Sequence, residues 1–153
     1  MLVGPEQERK ISQLVEGVKF HAKESPKTSE PGSEFIFEER PVSLMPAEMI
    51  LVRVMLAKVE DAGKLAQLLR QVPIRQGEVE GWNCVFWVKE ALLRIEQSKG
   101  VVGTRVVEWR AVRDAALSCC QQKKDEHRFD GKGKYDHTQV PTRDLISMKE
   151  IAA

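Results

Sequence analysis

The chain of 153 residues is the length of one ordinary domain, enough to build a core without disulfides or a structural metal. Its 24 Lys and Arg against 23 Asp and Glu leave a formal charge of +1, which argues against a dedicated nucleic-acid binder. At 42% hydrophobic and 31% charged it is not a disordered tail, and its longest apolar stretch, Met49 to Val59, is too short and too interrupted by Arg53 and Lys58 to span a membrane.

Met1 to Pro5 runs into charged residues, which fits neither a secretory leader nor a basic transit peptide. The three cysteines, Cys84, Cys119 and Cys120, are odd in number, and two are adjacent. That pattern speaks against a disulfide framework and for a reducing compartment, the cytoplasm. No CxxC, HExxH, GxGxxG or GxxxxGK[ST] occurs, so neither a metal nor a nucleotide cofactor is expected.

In chain order, Leu2-Val3 reads as the end of a strand turned by Gly4-Pro5, and Glu6 to Glu16 as a polar loop or short helical turn. Gly17 to Lys23 alternates, with Val18, Phe20 and Ala22 on one side and Lys19, His21 and Lys23 on the other, the period of a half-buried strand. Glu24 to Ser33 is turn-rich. Glu34 to Arg40 is the next strand, stopped by Pro41, and the two form an antiparallel hairpin. Met49 to Val59 is predicted to be one long, mostly buried strand beside Gly17 to Lys23.

The second half is helical. Asp61 caps a helix over Ala62 to Gln71, ended by Pro73. A second starts at Trp82 or Asn83 and runs to about Gln97, with Val85, Val88, Leu92 and Ile95 recurring at helical spacing. Gly100 and Gly103 separate it from a third, roughly Arg105 to Lys123, striped by Trp109, Val112, Ala116 and Cys119. Residues 124–153 form an extended segment, tied to the body by Tyr135, Val140, Leu145 and Ile146. The whole is one α+β domain over 1–153, an antiparallel sheet packed against helices.

Cys84 is the first candidate for chemistry. At a predicted helix start, unpaired N–H groups and the helix dipole favour a thiolate, which is the nucleophilic form. On position alone the favoured reading is a small apolar residue packed between Trp82 and Phe86. His21 is the natural base for it, or else a surface histidine between Lys19 and Lys23. Asn83 and the Cys84 N–H could hold an oxyanion, although an asparagine here also serves as a cap. Glu38 and Glu39 could orient an imidazole, or form a solvated edge. His127 and His137 lie in the charged C-terminal part, and Cys119 and Cys120 sit late in a helix, where the dipole disfavours a thiolate.

The runs Val18-Lys19-Phe20-His21-Ala22-Lys23, Phe37-Glu38-Glu39-Arg40-Pro41, Trp82-Asn83-Cys84-Val85-Phe86-Trp87-Val88 and Pro141-Thr142-Arg143-Asp144-Leu145 resemble a family of small uncharacterised fungal proteins. The resemblance covers nearly the whole chain. That family is in turn distantly similar to circularly permuted papain-like enzymes of the lecithin-retinol-acyltransferase type. The resemblance implies that Cys84 is the nucleophile and that His21 matches a second strand histidine. It also implies a principal histidine on the first strand, before the Gly-Pro turn, where only Met1, Leu2 and Val3 stand here.

Two function classes therefore stand side by side. One is a cysteine hydrolase or acyltransferase acting on an acyl, peptide or small-molecule substrate, with Cys84 and His21 catalytic and activity lost if His21 cannot replace the missing base. The other is a catalytically silent interaction or small-molecule-binding domain on the same scaffold. Neither calls for nucleic acid or a membrane span.

Overall fold

The computed structural model describes residues 1–4, 16–43, 50–133 and 140–151. Alternation in the first half produces the expected hairpin. Strand β2 (Glu16–Pro26) pairs antiparallel with β3 (Ser33–Ser43), and β1 (Leu2–Val3) joins the other edge of β2. Both long strands outrun their predicted ends. Pro41 does not stop β3, for a reason visible in its direction. The Phe35 N–H is bonded to the Gln76 side chain, so it faces away from β2. Pro41 has the same parity, and a proline nitrogen turned out from an edge strand removes no ladder bond.

The segment predicted as one strand beside β2 is something else. It divides into β4 (Arg53–Met55) and β5 (Ala57–Val59), and neither pairs with β2. β4 lies parallel to β7 (Thr142–Asp144), which pairs antiparallel with β8 (Lys149–Ile151), and β5 pairs with β6 (Val102–Arg105). The β-branched content gave strand at 53–55 and 57–59, but the segment is half-buried or exposed instead of mostly buried, and its partners were set by distant segments that local patterning cannot name. β6 was itself unforeseen. Gly100 does make the turn, at φ +67°, but Gly103 sits inside the strand. Met49 lies outside the described residues, as do Tyr135 and His137.

The helices fall close to expectation. α1 (Ala62–Arg70) is capped by the Asp61 carboxylate on the Lys64 N–H, and α2 (Cys84–Gln97) by the Asn83 side chain on the Val85 N–H. α3 (Trp109–Asp125) starts four residues later than predicted, because β6 occupies Arg105 and Glu108 supplies the cap. The result is a mixed α+β arrangement of three helices and several small sheets among the described residues.

One core joins the two halves. Phe20 and Ala22 of β2, Leu65 and Leu69 of α1, Trp87, Ala91, Leu92 and Ile95 of α2, and Val112 of α3 are all buried together. Trp87 is the keystone: fully enclosed, its indole N–H donates to the Val72 carbonyl at 3.3 Å, and its ring lies against Phe37 of β3. Trp82 meets Phe35 edge-on, with ring centres 5.3 Å apart. These two aromatic pairs fix which face of the hairpin α2 covers. The C-terminal segment is held by buried Val140 and Leu145, and by Lys123 of α3, which pairs with Glu150 of β8 at 2.7 Å.

Candidate functional site

Side chains on a strand alternate between its two faces. On β2, Phe20 and Ala22 face the helices. Across the ladder Ala22 stands opposite Phe37, which touches Trp87. Residues of that parity, Val18, Phe20, Ala22 and Glu24 on β2 and Phe35, Phe37 and Glu39 on β3, are those turned toward α2 and α1. Glu39 accordingly accepts two hydrogen bonds from the Arg70 guanidinium of α1, at 2.6 and 2.7 Å. No histidine is among them.

His21 has the other parity. It stands opposite Glu38, and its Nε2 lies 2.6 Å from Glu38 Oε2. Lys23 donates to the other Glu38 oxygen at 3.1 Å, and Arg40 Nε lies 3.5 Å from Oε2. The hydrogen bonds from His21 and then Lys23 pull the Glu38 carboxyl down from 4.5 to about 2. Glu38 is thus bonded to the imidazole, as one sequence reading suggested, but on the face of the sheet that α2 does not cover. Glu39, the other acid named with it, belongs to α1.

Cys84 is the first residue of α2 and is exposed, not enclosed between Trp82 and Phe86. Seven and eleven residues before Ala91 and Ile95, it shares their core-directed side of the helix. It extends past the end of the core and stays open to solvent. His21, by its strand parity, points to the other face of the hairpin and is bonded to Glu38, and no hydrogen bond joins it to Cys84. Asn83 spends its side-chain oxygen on the Val85 N–H, and its amide nitrogen reaches the Gly81 carbonyl at 3.4 Å, so it acts as a cap. Cys119 is buried, and burial raises its thiol pKa; Cys120 is half-buried. His127 pairs with Asp130 at 2.8 Å, just past the end of α3. Among the described residues no group of His, Cys, Asp or Glu could hold a metal ion.

Sequence reasoning passed over a different feature. On the outer side of α2 an open cleft of about 700 Å³ runs between the loop before α2 and the start of α3. Buried Trp82 and Val107 line its depth, with half-buried Trp109, and Phe86 and Leu93 stand exposed along it. At one end Glu90 accepts from Arg75 at 3.1 and 3.2 Å and from Arg94 at 3.0 Å. The signal was present in the sequence. Phe86 and Leu93 lie seven residues apart, off the stripe of Leu92 and Ile95 that faces the core.

A family model matches residues 1–152. The chain belongs to DUF6914, a family of unknown function. No curated protein and no solved structure matches it. Membership of DUF6914 thus spans nearly the whole chain but assigns no residue a role, and the site rests on geometry alone. No helix among the described residues is long and apolar enough to cross a membrane.

Proposed function

We propose that this chain is a binding domain without thiol catalysis, and that the cleft along α2 is its working surface. The observation that carries the reading is the exposure of Phe86 and Leu93, at 44% and 50%, beside Trp82 and Trp109. Large apolar groups gathered at a concave site, with a few fixed charges at one end, suit an amphipathic ligand or a partner surface.

The competing reading is a cysteine hydrolase or acyltransferase on a permuted papain-like scaffold. The exposed position of Cys84 at the start of a capped helix supports it. It needs a base on the α2 side of the sheet, and the strand parity of His21 speaks against that. The silent form of the scaffold is the better account.

Titration with the apolar anion 1-anilinonaphthalene-8-sulfonate tests the cleft, with emission from Trp82 and Trp109 as a second readout. Phe86→Asp is expected to weaken binding about tenfold or more, while Leu117→Asp, at an exposed α3 position outside the cleft lining, leaves it unchanged. Equal binding by wild type and Phe86→Asp would overturn the assignment.

A further inference from the structure

The outer face of α2 carries a charge pattern as well as apolar groups. Phe86, Lys89, Leu93 and Glu96 recur at spacings of three and four, so they share one side of the helix. Phe86 and Leu93 form its centre line. Lys89 and Glu96 lie along the same flank of that line, one toward each end, with Leu93 between them. Both are exposed, and neither makes an ion pair among the described residues. Glu90, on the opposite flank, is already engaged by Arg75 and Arg94.

A stripe with an apolar centre, a cation toward its start and an anion toward its end is complementary to its own reversal. Two such helices laid antiparallel about a twofold axis next to Leu93 bring Lys89 of each copy to Glu96 of the other. The symmetry keeps the charged flanks on the same side of the pair, so both contacts form together. A stripe of one sign would repel its copy, and an uncharged one would set no register.

We infer that this face of α2 pairs with the same face of a second copy of the chain, as an antiparallel helix pair in a twofold dimer. The inference rests on the cleft being the working surface and names its occupant. Unlike charges opposite one another set the register, and Phe86 and Leu93 supply the apolar burial.

Sedimentation velocity of the full chain over a wide concentration range tests it. Wild type is expected to self-associate reversibly. Lys89→Glu and Glu96→Lys should each weaken association about tenfold or more, since each sets like charges opposite one another. The double reversal should restore it. An equimolar mixture of the two single variants should associate more tightly than either alone, because both contacts are then between unlike charges. A wild type that stays monomeric, or a double reversal and a mixture that do not recover, would overturn the dimer. Retained dye binding in a monomeric wild type would leave the cleft standing without the dimer. Loss of the Phe86→Asp effect on dye binding would strike the cleft reading itself.

Discussion

His21 and Glu38 face each other across the β2–β3 ladder, with Nε2 and Oε2 2.6 Å apart, on the side of the hairpin turned away from α2. The contact ties the imidazole to a structural carboxylate instead of to the Cys84 thiol. It also gives the hairpin an acid-sensitive element. The Glu38 carboxyl is held near 2 in the folded chain against an ordinary 4.5. A depressed carboxylate stabilises the fold above its unfolded pKa, and the contribution is lost as pH falls through the folded value. Glu38→Gln should therefore be less stable than wild type at neutral pH. The difference should shrink between about 4.5 and about 2, measured by denaturant titration at a series of pH values.

Trp87 should be the most sensitive core position. It is fully buried and carries a hydrogen bond to the Val72 carbonyl. Trp87→Ala is expected to cost about 3–5 kcal/mol. Trp87→Phe keeps much of the volume but leaves that carbonyl without its donor, at a cost of about 1–3 kcal/mol. Equilibrium unfolding in urea separates the two.

How much of this was legible follows from the residues themselves. The alternation of Gly17 to Lys23 gave β2 and its two faces, and Asp61 and Asn83 marked the starts of α1 and α2. The same alternation already placed His21 on the face opposite Phe20 and Ala22. What it could not say was which face the cysteine helix would cover; that is settled by Phe35 against Trp82 and Phe37 against Trp87, contacts between distant segments. The partners of Met49 to Val59 were hidden for the same reason. β4 pairs with a strand some ninety residues away, and no local pattern records that. The cleft escaped notice because Phe86 was read only as packing against Cys84 and Leu93 lay off the stripe of Val88, Leu92 and Ile95.

The C-terminal hairpin depends on Lys123. Burial pulls its ammonium down, but hydrogen bonds to Glu150 and Glu126 outweigh that and leave it above the ordinary value. Glu150→Gln removes a charge partner from a buried cation that keeps Glu126, so the cost should be about 1 kcal/mol. Lys123→Met should cost less, because it removes the buried charge along with its contacts. Hydrogen exchange at Arg143 and Asp144 in β7 should rise in Glu150→Gln and stay nearer wild type in Lys123→Met.

The thiols should react in order of exposure. Cys84 is open to solvent, Cys120 is half-buried, and Cys119 is buried with its pKa raised by that burial. Mass-resolved alkylation at neutral pH should label Cys84 first and Cys119 last. Early labelling of Cys119 would contradict the described packing of α3.

The most direct test asks whether His21 acts on Cys84 at all. The rate of Cys84 alkylation as a function of pH, compared between wild type and His21→Ala, reads this without knowledge of any substrate. With the imidazole on the far side of the sheet, the two pH profiles should coincide, and an activated ester should leave no more acyl group on Cys84 in wild type than in the variant. A Cys84 rate that falls several-fold in folded His21→Ala, with the lower limb of its pH profile shifted, would contradict the account and return the chain to the thiol enzymes.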